Sequence, residues 1–413
     1  MRVCLVYDCL FPYTIGGGER WYRSVAERLA GAGHEVTYLT LRQWPRGEHA
    51  TVDGVRVVAV GPRMALYTAG GRRRILPPLV FGAGVLWHLL RHGRRYQVVQ
   101  TAAFPYFSLL AAAAVRPLGR FALVVDWFEV WSERYWREYL GALGGRVGAA
   151  VQRLCARVPQ RAFCISELHA ARLREEGCRG PVTVLRGLYA GGGDGQEGGD
   201  QDGDGGQHGG GGQDGGGGQD GDGVASTEPP SPPLALFAGR LIPEKNVGLA
   251  VAAIGRAADR LGGLRGEILG DGPERDALAR AIREHGLEGT IAARGFVHSD
   301  EVAAAMDRAT CMLLTSRREG YGLVVVEAAA HGTPSVVVAG EDNAATELIE
   351  EGVNGTVAAS DDPGAVADAI VRVHDGGAAL RQSTAAWFAA NAERLSLESS
   401  LRVVLESYGS EGR

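Results

Sequence analysis

Twice along the 413-residue chain, short apolar runs alternate with loops and helix-period segments. In the first half the runs fall at 2–7, 36–41, 55–60, 98–101, 122–125 and 163–165. In the second they fall at 234–238, 266–269, 290–293, 311–314, 334–338 and 354–357. A run such as Leu234-Ala235-Leu236-Phe237-Ala238 is too short for a buried helix and has no polar alternation. It reads as a parallel strand buried on both faces. Helical patterns lie between most of the runs, the first from about Glu19 to Ala32. That alternation predicts open parallel sheets covered by helices, and the length exceeds one ordinary core. The expected fold is α/β, with two Rossmann-like, doubly wound sheets facing each other across a cleft. Ligands of such sheets bind beyond the carboxyl ends of the strands.

Two such ends in the second half carry chemistry. After Ala238 the chain reads Gly239-Arg240-Leu241-Ile242-Pro243-Glu244-Lys245-Asn246 and then turns helical. Lys245 is the only lysine; the other 42 basic residues are arginine. A tight loop holding a planar guanidinium and a compact ammonium suits a diphosphate, although a solvated surface lysine has the same local pattern. The second end is Arg318-Glu319-Gly320-Tyr321-Gly322-Leu323, running into an apolar helix that carries Glu327. The two glutamates are separated by slightly more than two helical turns. They accept hydroxyl protons, while the free N–H groups of the first turn take an anion. A charged loop followed by an ordinary helix is the plainer reading of this stretch alone.

Together with Gly270-Asp271-Gly272-Pro273, Gly295-Phe296-Val297 and His331-Gly332-Thr333-Pro334, these segments resemble the C-terminal half of a family 4 retaining glycosyltransferase with the GT-B fold. Val3-Cys4-Leu5-Val6-Tyr7, Gly16-Gly17-Gly18-Glu19-Arg20 and Gly33-His34-Glu35-Val36 resemble that family's opening. The resemblance divides the chain into an acceptor-side domain at 1–189, a linker at 190–233, a nucleotide-sugar domain at 234–385, and a C-terminal helix from 386 that packs back on the first domain.

What the resemblance implies is a transfer from a nucleotide-diphosphate sugar to a hydroxyl of a glycan, lipid or small molecule. Negative charge grows on the β-phosphate as the glycosidic bond breaks, and preorganised donors aimed at it are the largest catalytic contribution available. Arg240 and Lys245 are the candidates for that role, with backbone N–H groups near Tyr321, Gly322 and Leu323. No metal or other cofactor is then needed. Glu319 is expected on the donor-sugar hydroxyls and Glu327 on the ribose. Phe296 and Val297 would lie against the base, and Gly16 and Gly17 would admit the diphosphate to the main chain. Relatives carry a histidine after the strand that is expected to end at Val125; this chain has Asp126-Trp127-Phe128-Glu129 and no histidine between His92 and His169. Asp126 or Glu129 is the expected replacement. Trp127, Trp131, Tyr135 and Trp136 would form either a sugar-stacking wall or ordinary core. A non-catalytic binding protein and a nucleotide-sugar epimerase are the alternatives on this scaffold. The intact site residues speak against the first, and the lack of extra acid–base residues against the second.

Composition places the protein in its surroundings. Six scattered cysteines without C-x-x-C spacing fit a reducing compartment. The opening Met-Arg leads directly into a strand, so no leader is expected, and the location expected is cytoplasmic. Residues 1–188 carry a balance of +13 and the remainder −18. This reflects either solvated arginine-rich faces or attraction to anionic lipid, and dispersed basic residues argue against nucleic acid. The stretch from Arg72 to Arg95 sets an apolar helix between arginine clusters. Its pattern favours a buried connecting helix over one lying in the inner face of a membrane. Between Gly191 and Gly223, 19 of 33 residues are glycine. Such a segment is expected to be disordered, and its irregular spacing argues against a calcium-binding repeat.

Overall fold

The computed structural model describes residues 1–14, 16–68, 73–191 and 231–409. The disorder expected of the glycine-rich linker falls on 192–230, outside the described residues. The first sheet is entered by β1 (Arg2–Val6), followed by α1 (Gly17–Gly31), β2 (Glu35–Leu41) and β3 (Val55–Gly61). Then come α2 (Leu76–His92), β4 (Val98–Ala102), α3 (Phe107–Gly119), β5 (Ala122–Trp127), α4 (Glu133–Ala156), β6 (Arg161–Cys164), α5 (Glu167–Glu175) and β7 (Val182–Val184). All pairs are parallel in the order β3-β2-β1-β4-β5-β6-β7. The order reverses between β1 and β4, so the loop leaving β1 opens at the switch point where doubly wound sheets bind ligands.

The second sheet repeats the plan. It comprises β8 (Leu234–Ala238), α6 (Val247–Leu261), β9 (Arg265–Leu269), α7 (Arg275–Glu284), β10 (Ile291–Gly295), α8 (Ser299–Asp307) and β11 (Cys311–Leu314). There follow β12 (Arg318–Glu319), α9 (Leu323–Ala330), β13 (Ser335–Val338), β14 (Asp342–Asn343), β15 (Gly355–Ala358), α10 (Pro363–Leu395) and α11 (Leu397–Gly409). The main sheet runs β10-β9-β8-β11-β13-β15, all parallel, and β12 pairs with β14 as a short separate ladder. The switch lies between β8 and β11, whose following loops hold Lys245 and Glu319. The apolar runs of the central strands β9, β8, β11 and β13 are buried almost throughout, as both-face coverage requires, whereas the edge strand β10 exposes Ala292 and Ala293.

Helix α10 bends at Gly377, which sits at φ 50°. Its first part packs on the second domain through Val366, Ile370 and Val373. Helix α11 lies on the first domain with Leu401, Val404 and Tyr408 buried beside Trp21 and Phe163. The two chain crossings run side by side. The Tyr189 N–H donates to the Leu395 carbonyl at 3.0 Å, and the Leu397 N–H donates to Tyr189 at 2.8 Å. Gly187 approaches so closely that any Cβ would overlap the Ser396 carbonyl, which excludes other residues there.

The helix expected to be buried between arginine clusters is only half so. Pro77, Pro78, Phe81, Gly82, Val85 and Leu89 of α2 face inward, while its other face is open to solvent.

Candidate active site at the interdomain cleft

The loop after β8 is fixed by its neighbour after β9. The Gly239 N–H donates to the Leu269 carbonyl (3.0 Å) and the Leu241 N–H to the Asp271 carbonyl (2.9 Å). Gly270, at φ 132°, lies where a Cβ would strike the Gly239 carbonyl, so the glycine motif allows the two loops to lie side by side. The loop is tied on its other flank to the segment after β11. Thr315 Oγ1 donates to the Lys245 carbonyl (2.9 Å), and the Arg317 N–H donates to the Glu244 carbonyl (2.9 Å).

These ties bring the expected charges together. Lys245 Nζ donates to Glu319 Oε2 at 2.6 Å, with both side chains partly exposed. Arg240 is exposed at the loop tip and makes no ion pair among the described residues. Gly322, at φ 95°, starts α9 in a left-handed conformation, and no side chain caps the helix. A helix N-terminus with free N–H groups beside a cationic loop is a ready anion site. Leu323 opens that helix, but the Tyr321 side chain turns away, donating its hydroxyl to the Arg186 carbonyl at 2.6 Å. Glu327 lies half-buried on α9. Burial raises its pKa above the ordinary value, partly offset by Arg20 of α1 and His331. Phe296 stands 76% exposed after β10 with Val297 half-buried beside it. From the first domain, Gly16 caps α1 in an extended conformation, and Gly17 has open space where a Cβ would stand. Gly18 is the tightly packed one, against the Tyr7 hydroxyl and Phe128.

Asp126 is not brought to this cleft. Strand β5 continues through Trp127, so Asp126 is a strand residue whose side chain enters the core rather than a loop residue beyond the sheet. Its carboxylate accepts from the Tyr22 hydroxyl (2.6 Å) and from Gln100 Nε2 (2.7 and 3.0 Å). Burial pushes its pKa up to about 6 against those donors. Gln100 in turn accepts from the Tyr408 hydroxyl of α11. The aromatic wall divides: Trp127 and Trp136 are core, donating to Gln160 (2.8 Å) and Gln152 (3.2 Å), whereas the half-buried Tyr135 lines the interdomain cavity.

The residues that the sequence did not single out are those that close the two domains. Arg318 lies over the rings of Trp131 (4.9 Å) and Tyr135 (4.6 Å), which touch each other edge to face, and pairs with Glu129. Burial lowers its pKa to about 10. Asp342 accepts from Ser132 Oγ at 2.9 Å and pairs with Arg172. Glu347 caps the start of α5 through the N–H groups of Glu167 (2.8 Å) and Leu168 (2.6 Å). His169 is buried nearby and its Nδ1 accepts from the Val130 N–H at 3.1 Å. Burial, and then Arg172, hold its pKa down to about 4. Between the domains lies a cavity of about 630 Å³, whose wall includes Glu138, Tyr139, Glu244, Arg317 and Asp361. It adjoins the Lys245–Glu319 pair without being lined by it.

With this geometry in place, the comparisons with known proteins are informative. The description "Glycosyl transferase 4-like domain" matches residues 16–187, and "Glycosyl transferases group 1" matches 232–375. Glycogen synthase of Mycobacterium tuberculosis strain H37Rv is 33% identical over 403 residues, covering 92% of this chain and 88% of that protein. The chain belongs to the family 4, group 1 glycosyltransferases. An alpha-D-kanosaminyltransferase of Streptomyces kanamyceticus is 30% identical over 143 residues, 35% of this chain. That match spans only 36% of the relative's length. Among solved structures, sucrose-phosphate synthase of Thermosynechococcus elongatus aligns with TM-score 0.72 at 16% identity, over 99% of this chain and 98% of that one. HepE of Anabaena, in complex with UDP and glucose, aligns with TM-score 0.64 at 17% identity, over 99% and 100%. Both show this family member to have the two-domain GT-B fold.

Proposed function

We propose that this family member is a retaining, metal-independent glycosyltransferase. It moves a hexosyl group from a GDP- or UDP-sugar to a hydroxyl of a glycan, lipid-linked or small-molecule acceptor. The reading places it in the cytoplasm, in peripheral contact with the inner face of a membrane, and without a nucleic-acid partner. The observation that carries it is the Lys245–Glu319 pair, formed three residues before the uncapped start of α9 at Gly322, with the exposed Arg240 in the same loop as Lys245. These groups offer positive charge where a leaving diphosphate would gain negative charge, and they do so without reorganising.

In this reading the bond from the sugar C1 to the β-phosphate oxygen breaks as the bond from C1 to the acceptor oxygen forms on the same face. The acceptor proton passes to the departing phosphate oxygen. Arg240 and Lys245 take the charge left on the diphosphate. Glu319 orients Lys245 and accepts from donor-sugar hydroxyls, and Glu327 accepts from the ribose. Phe296 and Val297 flank the base, and the open space at Gly17 admits the diphosphate. The interdomain cavity beside Glu244 receives the acceptor. HepE holds UDP, which makes UDP the first donor nucleotide to try.

The test is thermal stabilisation of the full chain by UDP, GDP, ADP and TDP, each with and without EDTA. A nucleotide at 100 times its Kd adds about 2.7 kcal/mol. A shift with one uracil or guanine nucleotide, unchanged by EDTA, is expected. No shift with any of them would overturn the donor site, and a shift abolished by EDTA would overturn metal independence.

A further inference from the structure

The outer helix layer of the first domain turns an apolar face to solvent. From Ile75 to Leu90 every exposed position is apolar: Ile75, Leu76, Leu79, Ala83, Trp87 and Leu90. At the helical repeat these fall on one side of α2, where a solvated helix normally carries its polar residues. Arg94 Nε donates to the Leu118 carbonyl at 3.3 Å, bringing the exposed Leu118 at the end of α3 against the end of α2. Helix α4 continues the layer, joined to the start of α3 by the Tyr106 hydroxyl on Gln152 (3.0 Å). It is broken at Gly141 (φ 76°), and after the break its exposed Leu143, Val147 and Leu154 again follow a helical repeat, with the exposed Leu140 just before it. Ten of the fifteen exposed large apolar side chains among the described residues lie on this layer, so the clustering is not the scatter usual for a soluble surface.

Charge identifies the partner. No Asp or Glu occurs between Asp53 and Asp126, a span holding ten arginines. Arg74, Arg91, Arg94, Arg95 and Arg120 are exposed at the borders of the face, and Arg91 stacks on Trp87 at 4.0 Å. We infer that this face docks on a bilayer bearing anionic lipid. Leucines and Trp87 enter the headgroup boundary, and guanidinium groups pair with lipid phosphates. A second copy would set the arginines of α2 and α3 against each other, and the exposed acids of α4, Glu133 and Glu138, already pair with Arg153 and Arg134. A soluble acidic polymer would leave the leucines uncovered. No described helix is long and apolar enough to cross a membrane, so the contact is interfacial. The inference extends the peripheral contact proposed above and rests on that reading for its purpose, since it would hold a lipid-linked acceptor near the cleft.

The test uses the full chain with vesicles of phosphatidylcholine alone and of phosphatidylcholine mixed with phosphatidylglycerol. Binding is expected to the mixed vesicles and to weaken with salt. Trp87 is the only exposed residue among the seven tryptophans, so binding should shift the emission to the blue. Trp87→Phe should abolish that shift while still binding. Combined Leu76→Gln, Leu79→Gln, Trp87→Gln and Leu90→Gln should weaken binding by at least about tenfold, with Tm and nucleotide stabilisation unchanged. Absence of binding, or equal binding to neutral vesicles, would overturn the inference. So would a dimer in sedimentation that the combined variant abolishes, which would assign the face to a second copy. Nucleotide stabilisation is read separately, so failure on vesicles leaves the donor site standing.

Discussion

In the first domain Asp8, Gln100, Asp126, Gln152, Gln160 and His169 lie inside, while the outer helices turn leucine and tryptophan to solvent. The second domain also buries polar groups, among them Glu267, Asn343, Asn354, Arg381 and Thr384, but its surface carries charge pairs such as Arg260–Asp368 and Arg294–Glu301. The same sheet plan thus carries two kinds of polar group. Inside the first domain, Gln100, Asp126 and Gln152 are held by partners distant in sequence and specify its packing. Those at the loops of the second face the cleft and are available to a ligand.

The sharpest way to break this comparison is to remove one group of each kind. Lys245→Ala should lower kcat by about 10²- to 10³-fold, the loss typical of one preorganised donor at a developing charge, while Tm changes little. Asp126→Ala should do the reverse. It strands the Tyr22 hydroxyl and the Gln100 amide, at roughly 1–3 kcal/mol for each unpaired group, and lowers Tm. Its kcat per folded molecule should hold. A kcat loss as large as that of Lys245→Ala would return Asp126 to the site.

Acid titration separates the interior groups further. His169 titrates near 4 when folded and near 6.5 when unfolded. Between those values the unfolded chain binds a proton that the native chain refuses, so this contribution to stability falls as pH falls from 6.5 through 4. The slope approaches about 1.4 kcal/mol per pH unit. Asp126 has the opposite sign: with a folded pKa near 6 it gains its proton first in the native state, and acidification below that value favours folding. His169→Gln should therefore make the fall in stability between pH 6.5 and 4 shallower, measured by urea unfolding, with His88, also held near 4 by burial, keeping its own share. A profile unchanged from the parent protein would show that His169 is not held neutral.

Arg318→Lys should cost about 1–2 kcal/mol by removing a planar group that stacks on Trp131 and Tyr135. The loss should appear as greater domain opening in small-angle scattering. The smallest effect is expected at Arg260→Ala, where loss of an exposed pair with Asp368 should leave Tm almost unchanged and the difference should fade with salt.

Both sheets were legible in sequence because parallel strands buried on two faces are continuous apolar runs. Strand β7 was not, because Val182–Val184 is a three-residue edge strand with little pattern. Lys245 and Glu319 could each be placed beyond a strand end in advance, though not their contact, because each lies in the segment that directly follows its strand. Asp126 was misplaced by the same logic, since the strand expected to end at Val125 runs two residues further. Arg318, Asp342 and Glu347 meet partners 170 to 210 positions away or across the cleft, and no local spacing encodes such contacts. The outer face of α2 was legible as apolar, but period alone does not say which side of a helix is covered.

The paired crossings at Tyr189 and Ser396 decide how the halves can move. Two strands of chain laced together by backbone hydrogen bonds act as the spine of a book: they permit the covers to open about one line and resist sliding or twisting. Substrate would then enter by a swing that lifts Arg318 from its aromatic neighbours and Asp342 from Ser132, while α11 stays fastened to the first cover.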